Sequence, residues 1–337
     1  MSTLPPPLRP PLPLAAAKPV NRIPAPTALP GGCLYEPKWD GFRTSLTVTD
    51  DGAVLFSRQG KDLSRYFPDV IAAAEEQIPP GCVVDGETLI WSNGRLDFNT
   101  LQQRMTTSKA ALPAFIRERP ASFAAFDVLA VAGQDTRALP LRDRRTLLEE
   151  LARTWEPPLN LSPATSDPDE AAVWFEQLPE IGVEGLVVKG SGQPYEGGVR
   201  QWLKVKHRQD LDVVCAAVIG RRDRPSAIVA GLPIGGRLWI VGRSTQLTAA
   251  ASKALAAHLH IPRENHPWPE EITPGTLDRF TQDKSPVRLT RVEPIVVEVS
   301  ADVAWSGRSF RHPLRYLRAR PELDPDTIEL PPHLARG

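Results

Sequence analysis

Cysteine is scarce in this 337-residue chain, with three residues (Cys33, Cys82 and Cys215) far apart in sequence. They make no CxxC pair and no zinc-ligand spacing, and three thiols cannot all pair. They read as free, buried thiols in a reducing cytosol. No run of 18 apolar residues occurs, so no membrane-spanning helix is expected. The start, MSTLPPPLRPPLPLAAAKPV, is broken by prolines and lacks the continuous apolar core of a secretory signal. No internal repeat is visible. No glycine-rich stretch is followed directly by a helix: GLPIGGRLWIVGRS runs on as hairpin turns, so a phosphate-cradling loop of the helix N-terminal kind is absent. Net charge is zero as well, with 40 Lys and Arg against 40 Asp and Glu. What remains, 41% apolar and 24% charged residues, describes a soluble globular protein with a packed core. The length allows two domains.

The zero net charge hides an asymmetry. Residues 1–210 hold 23 Lys and Arg against 26 Asp and Glu, whereas residues 211–320 hold 16 against 10. A basic C-terminal half can hold a phosphate backbone, although charge alone does not separate that from a solvated, salt-bridged surface. Residues 1–30 contain ten prolines and should form an extended arm that packs along a domain. Beyond it, RTSLTVT and AVLFS flank DDG as a hairpin. PDVIAAAEEQI reads as a helix. CVVDGETLIW is a strand. DFNTLQQRM is a helix capped by Asp97 or Asn99, and ASFAAFDVLAV is another strand. LRDRRTLLEELA and DPDEAAVWFEQL are helices, and IGVEGLVVKG is a buried strand. The first 209 residues are thus the arm plus an α+β domain. Strands over 211–219, 226–230, 237–243 and 294–301, with the helix TAAASKALAAHL among them, fit a five-stranded OB-fold barrel over 210–325. A tail over 326–337 follows.

The octet EPKWDGFR (36–43) raises the question of chemistry. A lysine nucleophile must lose its proton, against a reference pKa of about 10.4, and burial or neighbouring cations can lower that value. Trp39 and Phe42 would exclude water, Gly41 would let the backbone approach a ligand, and Arg43 offers a fork of donors to a phosphate or ribose. On the octet alone, Lys38 could equally be a structural lysine at a strand end. Five other segments add to it: VVDGET with Glu87, FAAFDV with Phe126, VEGLVVKG with Glu184, WLKVKH with Lys204 and Lys206 on one strand face, and the arginine-rich FRHPLRYLRAR. Singly, each has an ordinary structural explanation. Their order and spacing together fit one job, holding a nucleotide triphosphate against a lysine. Close together in HLHIPRENH, His258, His260 and His266 read as surface histidines after a helix rather than as metal ligands.

Taken together, these segments resemble the motifs of the covalent nucleotidyltransferases: motif I (KxDGxR), then III (DGE), IIIa (FDV), IV (EGLVVK), V (WLKVK) and VI (RHPLRYLRAR). Within that superfamily the chain is similar to ATP-dependent DNA ligases, most closely the short bacterial LigC-type enzymes and the ligase module of LigD. SRQG, LDFNTLQQRM and LRDRRTLLEEL support the narrower likeness, which covers about residues 14 to 320. The resemblance implies a nucleotidyltransferase (adenylation) domain followed by an OB-fold domain, ATP as cofactor, and Mg²⁺ or Mn²⁺. It implies that Lys38 attacks the α-phosphate to give lysyl-AMP. Glu36 would lie at the adenine end, with Phe126 stacked on the base. Arg43 and Arg58 would contact the ribose and the 5′-phosphate of a nick. Glu87 would hold the ribose or a metal, and Glu184 the catalytic metal. Lys204 and Lys206 would neutralise the α-phosphate. Arg311 and Arg320, with Arg318 as a rival, would orient pyrophosphate.

The implied reaction is the sealing of a 3′-hydroxyl/5′-phosphate nick in duplex DNA, with a hinge near residues 207–212. A monomer in the cytoplasm, associated with the nucleoid, is expected. It would act in DNA repair with partners such as a primase/polymerase and have salt-sensitive affinity for DNA. The alternative is an RNA ligase or a GTP-dependent capping-type enzyme, which share KxDG. LQQRM, LRDRRTLLEEL and the RHP form of motif VI favour DNA ligase. A further alternative, a non-catalytic nucleic-acid-binding protein, would leave every expected catalytic position filled for no purpose.

Overall fold

The computed structural model describes residues 4–331 and 334, apart from 264, 279, 280, 282, 283, 303, 304 and 307. Its contacts divide the chain after His207 into two units. The first carries β1 (Ala17–Val20), β2 (Cys33–Pro37), β3 (Phe42–Thr49), β4 (Gly52–Ser57), α1 (Pro68–Gln77), β5 (Cys82–Ser92), β6 (Arg95–Leu96), α2 (Phe98–Thr106), α3 (Leu112–Glu118), β7 (Ala121–Val131), β8 (Gln134–Asp135), α4 (Leu141–Ala152), β9 (Leu159–Leu161), α5 (Pro168–Gln177), β10 (Gly185–Gly190) and β11 (Trp202–Lys206).

Local chemistry sets the ends of these elements. The β3–β4 hairpin turns through Asp50–Asp51 and closes on Gly52, whose φ of 116° suits glycine. Asp97 caps α2, its carboxylate accepting from Thr100 N at 2.9 Å. Pro68 and Pro168 open α1 and α5, where a missing N–H costs nothing.

Two sheets result. One runs β4-β3-β5-β7-β8, with β6 against β5 and β9 parallel to β7. Its core joins Leu46, Leu55, Val84, Phe123 and Val128 to Val70 and Ala74 of α1, Leu101 of α2 and Leu148 of α4. The other sheet runs β1-β11-β10-β2. Here the two-residue period of a strand sorts the side chains. Tyr35, Leu186, Val188, Leu203 and Val205 are buried with Ala171 of α5. The alternate positions Glu36, Val187, Lys189, Trp202 and Lys204 line a cavity. The proline-rich arm does pack along this unit: Leu4, Leu8, Leu12, Leu14 and Ala15 are buried with Phe126, Tyr195 and Trp202.

In the second unit, β12 (Arg208–Arg221), β13 (Arg224–Ile234), β14 (Arg237–Arg243), α6 (Ala249–Ala256), the short pair β15 (Glu271–Ile272) and β16 (Val287–Arg288), β17 (Thr290–Asp302), the short pair β18 (Trp305–Ser306) and β19 (Ser309–Phe310), and β20 (Arg315–Ala319) follow in order. The main sheet runs β14-β13-β12-β17-β20, antiparallel throughout. A parallel bridge between Ser244 and Leu314 joins its two edges. Five strands closed this way, with a helix between the third and fourth, make the OB barrel. Ile328, Leu330 and Leu334, in the stretch read as a tail, pack on the barrel core. His266 is structural: its ring nitrogens lie 3.0 Å from Trp268 O and 2.8 Å from Ala216 O. Among the described residues no three metal-ligating side chains gather.

Candidate active site

The cavity in the first unit has a volume of about 750 Å³, within the usual range for small-molecule sites. Lys38 stands just past the end of β2. Pairing with β10 continues to it, since Lys38 N donates to Gly185 O at 2.8 Å and Glu184 N donates to Lys38 O at 2.9 Å. That brings Lys38 Nζ to 2.5 Å from Glu184 Oε2, and Lys206 Nζ lies 3.2 Å from the same oxygen. The cross-strand register places Val187 beside both Glu36 and Lys204. Two separated segments, β2 with its end and β11, therefore deliver Glu36, Lys38, Lys204 and Lys206 to one sheet face, with β10 between them.

Gly185 permits this junction. Its φ is 144°, and a β-carbon there would fall 2.1 Å from Val205 O. Gly41 behaves differently from the expectation that it admits a ligand. A β-carbon at Gly41 would lie 2.4 Å from Thr88 O and 2.6 Å from Leu89 Cδ2, so its missing side chain admits the neighbouring strand β5. Phe42 likewise turns into the core, edge-on to Phe98 at 5.5 Å. Trp39 does line the cavity, anchored by Nε1–H donating to Ser162 Oγ at 2.9 Å.

Electrostatics separate the titratable groups. Burial alone would lower the Lys38 ammonium, but Glu184, helped by Glu87 and Asp40, holds it above the ordinary lysine value. Glu87 faces Arg43 across β3 and β5. Burial pushes its carboxyl up to about 8, against the pull of Lys38 and Arg43. Lys204 moves the other way, lowered by burial and by the like charges of Lys38 and Lys206.

In the same cavity, Glu36 is 2% exposed. Its Oε2 pairs with the buried Lys189 Nζ at 2.7 Å, while Oε1 has no hydrogen-bond partner among the described residues. Lys189 also donates to Phe126 O at 3.0 Å and lies 4.5 Å from the Phe126 ring centroid and 4.4 Å from that of Trp202. Phe126 and Trp202 meet edge to face at 6.3 Å.

Lys38, Glu36, Arg43, Arg58, Glu87, Phe126 and Lys204 all line the cavity. Glu184 and Lys206 join through their ion pairs. Arg43 is engaged internally: Nε and Nη2 grip Asp85 at 3.0 and 2.5 Å, and Nη1 donates to Ala15 O at 2.6 Å. Arg311 and Arg320 belong to the second unit. Arg311 is 6% exposed. Arg320 lies within ion-pair distance of Asp212, Glu298 and Glu322, at 3.4, 3.7 and 2.5 Å. Its rival Arg318 bonds Glu298 at 2.6 Å, with its side chain 61% exposed.

Sequence reasoning missed Lys189, Asp85 and Tyr195. Lys189 was legible as the next inward position after Val187 on β10. Asp85 sits inside the quoted DGE. Tyr195 lies in a loop with no periodicity to mark it.

A family model described as the ATP dependent DNA ligase domain matches residues 16–206. DNA ligase C2 of Mycolicibacterium smegmatis is 32% identical over 97% of this chain and 97% of its own. DNA ligase C of Mycobacterium tuberculosis is 32% identical over 89% of this chain and 88% of its own. Among solved structures, a Lig E DNA ligase described as binding DNA with a minimal scaffold covers 91% of this chain and 98% of its own, with 18% identity and a TM-score of 0.52. That last likeness concerns the fold.

Proposed function

Because the chain belongs to the ATP-dependent DNA ligase family, we propose that the cavity is its ATP site and that Lys38 is the residue adenylated there. The observation that carries this is the convergence of Lys38, Glu184, Lys204 and Lys206 at a cavity that also holds the buried Glu36–Lys189 ion pair, with Lys189 against the Phe126 and Trp202 rings. In the first step the Lys38 ammonium releases one proton to solvent and becomes the free amine, the Nζ–Pα bond forms as the bond from Pα to pyrophosphate breaks, and Nζ releases its second proton to leave the phosphoramidate N–H. AMP then passes to the 5′-phosphate of a nick, and the 3′-hydroxyl displaces it.

Each residue has a part. Glu184 holds Lys38 as an ammonium, so the nucleophile is released only when that ion pair opens. Lys204 and Lys206 face the α-phosphate, and the depressed proton affinity of Lys204 reflects burial and then the like charges of Lys38 and Lys206, which a phosphate would offset. Glu36 Oε1, which has no partner among the described residues, accepts a hydrogen bond from the amino group of adenine, with Lys189 fixing the carboxylate. Phe126 lies along the base, Glu87 meets the ribose, and Arg58 faces the 5′-phosphate of the nick. Glu184 and Glu87 offer two carboxylates near Lys38, a donor set that suits a cation completed by water and substrate phosphates rather than by an all-protein cage. Mg²⁺ or Mn²⁺ held there would neutralise phosphate charge and compete with Lys38 for Glu184. Arg311 and Arg320 orient the leaving pyrophosphate, and the basic barrel receives nicked duplex DNA. We place the enzyme as a monomer in the cytoplasm, at the nucleoid, in repair alongside a primase/polymerase. No helix among the described residues is long and apolar enough to cross a membrane.

The test is label transfer. Protein incubated with α-³²P-ATP and Mg²⁺ or Mn²⁺ should give a radioactive band on a denaturing gel, and a nicked duplex should discharge it. Lys38→Ala should reduce the band below about a thousandth, as expected when a covalent nucleophile is removed. A band that survives in Lys38→Ala, or that forms only from GTP, sinks the proposal.

A further inference from the structure

The proline-rich arm does more than cover apolar surface. Pro13, Leu14, Ala16, Ala17 and Pro19 line the cavity itself. Both backbone groups of Ala15 are taken by side chains: its N–H donates to the buried Tyr195 Oη at 3.0 Å, and its C=O accepts from Nη1 of the cavity-lining Arg43 at 2.6 Å. Tyr195 Oη–H in turn donates to Asp85 Oδ2 at 2.6 Å, and Asp85 grips Arg43 through both oxygens. The tyrosine keeps its proton for this, because burial and then the Asp85 charge push its pKa well above the usual value. The backbone completes the attachment. Ala16 N donates to Val199 O at 2.7 Å, Trp202 N donates to Ala16 O at 3.1 Å, and β1 continues in parallel register along β11. Gly197 fits beneath the arm, where a β-carbon would lie 2.3 Å from Pro13 O.

We infer that residues 13–17 form one wall of the nucleotide site and that Tyr195 is the positioning residue that latches it, through the hydrogen-bonded ring Tyr195–Asp85–Arg43–Ala15. The inference rests on the cavity being the ATP site. Arg43 lies 5.2 Å from the Phe126 ring centroid and 4.7 Å from that of Trp202, so the ring also fixes the cation that backs the aromatic wall. An unlatched arm would leave Lys38 and its partners in place but open the cavity on one side. The signature is therefore weaker ATP capture with intact chemistry, rather than loss of the step.

The experiment compares enzyme adenylation by wild type and Tyr195→Phe across ATP concentration, with circular dichroism to establish folding. Losing the hydroxyl should raise the KM for ATP about tenfold, the scale of one hydrogen bond to a charged partner. The rate at saturating ATP should stay within about twofold of wild type. A folded variant with unchanged KM, or one whose saturated rate falls instead, overturns the latch. Should Tyr195→Phe fail to fold, the wild type decides alone. α,β-Methylene-ATP, which cannot transfer AMP, should slow amide exchange at residues 14–17, and exchange there indifferent to the nucleotide overturns the inference. A wild type that forms no adduct with ATP would instead refute the ATP-site reading beneath it, while the latch geometry would stand without its function.

Discussion

At the scale of single residues, the site is a set of charges whose partners decide their states. Glu87 gives this a pH signature. Its carboxyl is raised from an ordinary 4.5 to about 8 by burial, so the folded protein holds a proton there that the unfolded chain has already lost. Stability from this group is fully present below the unfolded pKa of about 4.5 and is lost as pH rises through about 8. In EDTA without nucleotide, Glu87→Gln should therefore gain melting temperature over wild type progressively from pH 5 to pH 8. A difference constant with pH would show that Glu87 is not held neutral. The Glu36–Lys189 pair makes a second case. Both side chains are almost completely buried, so Lys189→Met strands a buried carboxylate and should cost about 3–5 kcal/mol. The double variant Glu36→Gln with Lys189→Met should recover much of that loss in chemical denaturation. If the two losses simply add, the pair is not the source. Lys189 was in principle readable from the strand period of EGLVVK, but the partner of a buried lysine is set by the neighbouring strand, which sequence does not name.

At the scale of elements, what the sequence made legible was what local chemistry controls. Asp97 as a cap, the DDG hairpin, and the alternation of WLKVK all appear where residue type dictates them. What it hid was set by distant backbone. Residues 17–20 read as part of an extended arm, yet they form β1 because the β11 edge offers a parallel partner. The helix α3 has 7 residues and no fully buried one, so its single i, i+3, i+4 set of Leu112, Phe115 and Ile116 is too short to mark a helix by its period. The β10–β11 junction shows how much chemistry can rest on such a contact. Gly185→Ala would force a β-carbon against Val205 O in a backbone conformation that L-residues avoid, with strain on the order of 1–3 kcal/mol. The relief would be a shift of Glu184, and with it Lys38. We expect label transfer from ATP to fall at least tenfold while far-ultraviolet dichroism is preserved, a change of about 1.4 kcal/mol in the barrier. Adenylation at the wild-type rate would mean that the Lys38–Glu184 placement does not depend on this junction.

At the scale of the whole molecule, a net charge of zero conceals a functional division that the balance along the chain exposes. The lysines proposed to meet the α-phosphate lie in the first unit and the basic excess in the second. Two arginines of β20 and its end are rivals for the leaving pyrophosphate, and their surroundings differ. Arg320 sits among Asp212, Glu298 and Glu322, with its side chain 21% exposed. Arg318, directly across from Glu298 in the sheet register, is 61% exposed. A guanidinium held among carboxylates is aimed and immobile, which suits recognition of a geometrically defined leaving group. A solvent-facing one suits a DNA phosphate, whose binding releases counterions. Arg320→Ala should thus slow enzyme adenylation about a hundredfold, the usual scale for losing one positioned donor on developing charge. It should leave the sealing of a pre-adenylated nick nearly unchanged. Arg318→Ala should adenylate normally but lower the slope of log affinity for nicked DNA against log salt by about one. If instead Arg318→Ala loses adenylation and Arg320→Ala loses the salt slope, the assignment is reversed: the exposed arginine reaches pyrophosphate, and the carboxylate-bound one is released to grip DNA.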